Sequence, residues 1–237
     1  MYEYSLLITC EHAGRRVPAA YRELFAPHAA LLRTHRGWDL GALAIARVLS
    51  RELDAPLHAA AVTRLLVDLN RSVGNPTLHS EVTASLSAAE LDQVLEQHYR
   101  PHRDRVMAAV AAPIAAGRRV VHIGSHSFTP ELDGHVRQAD VGFLFDPQRP
   151  HEVALSERWL AALQVLRPDL RLRCNYPYQG GSDGLMLALR ARHDGDAYLG
   201  IELEVNQAIA EVRGPERKRL GSEIASALRT ALADDRR

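Results

Sequence analysis

Four stretches of the 237-residue sequence put imidazoles and carboxylates where apolar runs end or helices begin: Cys10-Glu11-His12, Trp38-Asp39, Ser125-His126-Ser127 and Glu202-Leu203-Glu204. Two histidines plus one carboxylate, with a fourth position left to water, is the usual composition of a catalytic zinc site. Such an ion lowers the pKa of water to about 7 and polarises a carbonyl. A further carboxylate can then take the proton, and an arginine beside it can hold a substrate carboxylate with two parallel hydrogen bonds. An ordinary structural role competes for each residue. His12 fits a hydrogen-bonded loop histidine, Asp39 a helix N-cap, and His126 a turn residue between two serines. Glu202 and Glu204 are harder to set aside, because a buried strand tolerates a carboxylate only when it is paired, hydrogen-bonded or metal-associated. The spacing is not a tight H-E-x-x-H motif. From residue types alone a metal hydrolase stands beside a non-catalytic binder that captures an acidic metabolite through Arg64 and Arg71.

Nucleophilic catalysis has weaker support. Ser125 lacks the second glycine of G-x-S-x-G, and Cys10, though near His12, reads as a buried structural thiol. His98 and His102 lie four residues apart, but Pro101 between them disturbs a shared helix face. The run Gly180-Gly181-Ser182-Asp183-Gly184 lacks the lysine of a phosphate loop and reads as a flexible loop over a site.

These residues need elements to hold them. Residues 5–10, 57–62, 65–69, 119–123, 141–145, 170–174 and 198–205 read as strands, with 57–69 as two strands or one bent at Thr63-Arg64. Helices are expected over 39–53, from the capping box Ser87-Ala88-Ala89-Glu90 onward, over 155–166, and through Leu220, Ile224, Leu228 and Leu232. Pro101 should kink or restart the second of these. Strands separated by helices imply crossover units and a mostly parallel, buried sheet, in which ligands collect outside the carboxyl ends of strands. Along 198–206, Glu202, Glu204 and Asn206 alternate with Ile201, Leu203 and Val205, so the polar three share one face.

Composition narrows the partners. Lys+Arg and Asp+Glu are equal at 29 each, which argues against nucleic acid or an anionic membrane and for a small molecule. Hydrophobic residues make up 46% of the chain, enough for a substantial core, and 237 residues fit one domain over 1–237. No apolar run reaches the length of a membrane helix. Two distant cysteines and an N-terminus without a signal-like segment suggest a cytoplasmic setting.

Taken in order, seven stretches resemble the N-formylglutamate amidohydrolase family: residues 10–14, 35–42, 63–71, 98–102, 124–130, 175–178 and 200–207. That family is similar in fold to the zinc carboxypeptidases and aspartoacylase, which implies a three-layer α/β/α domain around a mixed, eight-stranded sheet. By resemblance, His12 and His126 match the two zinc-binding histidines. The acid three residues after the first histidine is replaced by Arg15, so the ligand role moves to Asp39 at the head of the following helix, with Glu11 as the alternative. Asn70 and Arg71 match residues that hold the substrate's carboxylate, and Arg64 a second arginine at the attacked carbonyl. Glu202 matches the base and proton donor, while Tyr178 and His193 are expected near the substrate. The implied activity is zinc-dependent hydrolysis of an N-acyl acidic amino acid, most simply N-formyl-L-glutamate in histidine degradation, with a carboxypeptidase-like or other N-acyl amino acid hydrolase of the same metal chemistry as the alternative.

Overall fold

The computed structural model describes residues 4–212 and 214–234. In chain order these form β1 (Tyr4–Cys10), α1 (Arg22–Phe25), α2 (Ala42–Glu52), β2 (Leu57–Ala59), α3 (Ala88–Val94), α4 (Arg100–Ala115), β3 (Arg119–Phe128), β4 (Glu131–Leu132), β5 (His135–Val136) and β6 (Val141–Leu144). They continue with α5 (Pro150–Leu166), β7 (Leu172–Cys174), α6 (Leu185–Arg190), β8 (Tyr198–Asn206), α7 (Gln207–Ala210) and α8 (Pro215–Asp234). Six strands make one mixed sheet in the order β2-β1-β3-β8-β6-β7. All neighbours are parallel except β6 and β8. Where eight strands were expected, the central sheet has six among the described residues, and β4 and β5 pair as a separate hairpin.

Apolar patterning explains the layers. In α2, Ile45, Ala46 and Leu49 recur at helical spacing and are fully buried. They join Ile8, Ile123, Ile201 and Leu203 with the inner faces of α5 and α8 in one core. On the opposite face Leu7, Val120 and Tyr198 pack with Val106 and Val110 of α4 and Leu185 and Leu189 of α6. A third cluster joins Tyr21, Phe25, Leu65, Leu66, Leu69, Leu78, Val94 and Tyr99. The predicted capping box at Ser87 and Glu90 is present. Before Pro101 the helix passes through a wider turn over Leu95–Tyr99, and α4 restarts with the proline in its first turn.

Two strand expectations change. Residues 57–62 keep only β2, with one further bridge from Val62 to Arg16. Residues 65–69 are not a strand: Leu66 N donates to Thr63 O, Asp68 N to Leu78 O and Arg71 N to Asp68 O. Leu65, Leu66, Val67 and Leu69 are all buried in the third cluster. A short run buried on every side satisfies its backbone through turns as readily as through a ladder, and hydrophobicity alone does not separate the two. Among the described residues no helix is long and apolar enough to cross a membrane.

Candidate metal centre and active-site cavity

The carboxyl ends of the parallel strands carry the candidate residues. His12 lies in the turn after β1, one residue beyond Glu11. Its carbonyl accepts from Asp39 N (3.0 Å), which ties the two residues together across 26 intervening positions. Asp39 is set just ahead of α2, whose start needs Gly41. That residue sits at φ 86°, and a Cβ there would collide with the backbone of Ala210, so glycine alone suits the position. His126 lies in β3 opposite Glu204 of β8, and Gly124 opposite Glu202. Strand alternation therefore turns His126, Glu202 and Glu204 to one face of adjacent strands.

One ligand atom from each of His12, Asp39 and His126 lies within 4.8 Å of the others, and all three residues are buried. Asp39 Oδ2 is 3.3 Å from His12 Nδ1 and 2.9 Å from His126 Nδ1. A tetrahedral zinc ion with bonds of about 2.0–2.2 Å needs donors this closely grouped. The far ring nitrogens meet carboxylates: His12 Nε2 is 2.7 Å from Asp68 Oδ1, and His126 Nε2 is 3.1 Å from Glu11 Oε2. Outer carboxylates of this kind orient ligating imidazoles. Glu11 thus stands behind His126, and 3.7 Å from His102 Nε2, rather than between the two histidines.

The electrostatics suit a cation. Burial alone would raise the Asp39 carboxyl, but His12, His126 and Arg64 outweigh it and hold it far below the usual range. Burial is likewise overcome at Asp68 by Arg64 and His12, and at Glu11 by His102 and His126; both stay well below ordinary carboxylates. Burial would lower His126, yet Asp39 and Glu11 lift it well above its ordinary value. Acids that draw protons so strongly onto an imidazole would also draw a divalent ion in their place. The donor set fits one.

A cavity of about 220 Å³ opens beside this group, lined by His12, Asp39, Arg64, Arg71, Tyr178 and Glu202 among others. Drug-sized ligands need about 300–1,000 Å³, so its occupant is small. Arg64 donates to both acids, with Nη1 to Asp39 Oδ1 (3.3 Å) and Nη2 to Asp68 Oδ2 (2.7 Å). Asn70 is used inside the protein: Nδ2 donates to Glu202 Oε1 (2.8 Å), and Oδ1 accepts from Leu185 N (2.8 Å). It therefore holds Glu202 in place, where a substrate carboxylate had been expected to engage it. Arg71 remains at the cavity wall, with Nη1 donating to the carbonyls of Asn70 and Asp183. Glu204 also lines the cavity. Burial, reinforced by Asp39 and Glu202 against the pull of His126, pushes its carboxyl up to about 8, and Oε2 has no hydrogen-bond partner.

Other expectations move. His193 lies outside the cavity: it sits ahead of the amino end of β8, its carbonyl accepting from Arg149 Nη2 (3.2 Å) and its ring near Tyr198. The glycine-rich loop at 180–184 does border the cavity, but it is pinned. Asp183 accepts from Ser72 N, Ser72 Oγ and Asn75 Nδ2, and Gly180 O accepts from Arg190. Cys10 is fully buried, and burial pushes its thiol up. His98 and His102 line a separate small cavity. Sequence reasoning gave no role to Asp68 or Arg137. An acid inside the apolar run 65–69 was the available signal for the first; the second carried none.

A family model described as N-formylglutamate amidohydrolase matches residues 4–210. Among solved structures, gene product Atu2144 from Agrobacterium tumefaciens is 30% identical with a TM-score of 0.85, covering 100% of this chain and 93% of that one. An N-formylglutamate amidohydrolase from Ralstonia eutropha JMP134 is 20% identical with a TM-score of 0.68, covering 99% and 96%. Comparison with curated proteins gives no match.

Proposed function

The chain belongs to the N-formylglutamate amidohydrolase family, hydrolases of amide bonds, and from that membership and the cavity's geometry we propose metal-dependent hydrolysis of an N-acyl acidic amino acid, with N-formyl-L-glutamate giving formate and L-glutamate as the simplest case. The observation that carries this reading is the convergence of His12, Asp39 and His126 within 4.8 Å, in a cavity that also holds Glu202 and Arg71. These three residues would hold the ion, with zinc the first candidate for a two-imidazole, one-carboxylate set. Once bound, it supplies Lewis acidity toward a carbonyl and a water acidified to near neutrality.

The chain's own residues supply the rest. Arg71 takes a substrate carboxylate, and Arg64, anchored by Asp39 and Asp68, faces the carbonyl under attack. Glu202, steadied by Asn70, accepts a proton from the attacking water at its carboxylate and returns it to the leaving amine nitrogen. We assign the protein to a reducing cytoplasm, in keeping with two free cysteines.

Two measurements test this reading. Elemental analysis of purified protein should find about one divalent ion per chain, and a chelator should abolish formate release from N-formyl-L-glutamate, with zinc restoring it. Chelator-resistant turnover would overturn metal dependence; absence of formate release from the zinc-loaded protein would overturn the substrate. Asn70→Ala should lower kcat about 10–100-fold with KM nearly unchanged, because it releases Glu202 from its place without removing it. A rise in KM at constant kcat would instead return Asn70 to substrate binding.

A further inference from the structure

Arg137 is a buried cation without an anion. The residue is 8% exposed, and its guanidinium lies 5.6 Å from the ring centre of Phe128 and 5.0 Å from that of Tyr178. Nη2 donates to Tyr178 Oη (3.0 Å), while Nη1 is buried with no hydrogen-bond partner. No ion pair among the described residues involves it. A guanidinium removed from water without a carboxylate or a full set of acceptors is costly, and its planar fork is matched best by a carboxylate or phosphate. Tyr178 is the link to the cavity: it lines the wall and is half-exposed, and its hydroxyl already accepts from Arg137.

Two guanidinium groups in and beside the cavity thus form no ion pair among the described residues: Arg71 in the wall, with Asp68 and Asp183 in its electrostatic reach, and Arg137 one hydrogen bond behind the wall. Arg71 follows Asn70, which grips Glu202, so it stands beside the reacting atoms, where the α-carboxylate must lie. Resting on the function proposed above, we propose that Arg137 is a specificity-determining residue that binds the side-chain carboxylate of the acyl amino acid, with Tyr178 turning aside or sharing its hydrogen bond. A ligand with an acid at each end satisfies both cations; one with a neutral side chain leaves Arg137 unpaired. Sites built to bind a polar group reject analogues lacking it far more strongly than apolar pockets reject a missing methylene.

The test compares N-formyl-L-glutamate with N-formyl-L-glutamine on zinc-loaded protein, alongside calorimetric binding of L-glutamate and L-glutamine. In the wild type kcat/KM should favour the acid. In Arg137→Met, which keeps the stacked stem, that preference should fall about 100-fold, mainly through KM for the acid, and L-glutamate binding should weaken by a similar factor. Arg137→Lys keeps the charge without the fork and should fall between; it also serves as the probe if the methionine variant does not fold. An acid-to-amide preference unchanged within about threefold in both variants overturns the assignment while leaving the reaction intact. Preferential, Arg137-dependent binding of L-glutamate without any formate release overturns the reaction and keeps the anchor. Failure of the wild type to prefer the diacid in either assay overturns the anchor.

Discussion

Glu202→Gln should lower kcat about 10³-fold while leaving metal content and thermal stability unchanged. The substitution is nearly isosteric, and a glutamine carbonyl can still accept the hydrogen bond that Asn70 Nδ2 gives to Glu202 Oε1. What it loses is the capacity to take a proton, and positioned general bases contribute about 10²–10⁴-fold. Metal analysis and a melting curve separate this outcome from a damaged site. Turnover within tenfold of wild type would remove Glu202 from the role and turn attention to Glu204, the other carboxyl on the same strand face, with its unpartnered Oε2.

Asp39→Ala should empty the site. Its Oδ2 is the atom on which both imidazoles converge, and two histidines alone make a poor site for a divalent ion. Metal content after dialysis should drop below about a tenth of an equivalent, with activity falling to background. Glu11→Gln makes the comparison decisive. Glu11 lies beyond His126 Nε2, so its loss should weaken metal affinity about 10–100-fold, as for other outer carboxylates, and excess zinc should restore turnover. The reverse pattern, in which Glu11→Gln empties the site and Asp39→Ala does not, would make Glu11 the ligand.

The candidate site was legible where chemistry and periodicity coincide. Alternation along residues 198–206 placed Glu202 and Glu204 on one face, and strand ends pointed to His12 and His126. Asp39 was harder, since its own surroundings suit a helix cap; only the backbone bond from its N–H to His12 O reveals why a residue so far along the chain arrives beside that histidine. Residues 65–69 misled because uniform burial erases the period that distinguishes a strand from a turn. The contacts of Asn70 within the protein were hidden for another reason: its partners, Glu202 and Leu185, are 132 and 115 positions away, and no local pattern announces a hydrogen bond across that distance. Arg137 resembles any surface arginine until burial and missing partners are seen.

The third apolar cluster has a consequence for how the protein moves. Arg64, Asp68, Asn70 and Arg71 ride on the segment that this smaller unit secures, whereas His12, Asp39 and His126 are fixed to the sheet and its principal core. Segments with few buried apolar contacts open locally at lower free energy than the core strands and helices. Because Asp68 reaches from this unit to His12 and Arg64 to Asp39, loosening of the minor unit would disturb the histidine–aspartate cluster and the arginine wall of the cavity together.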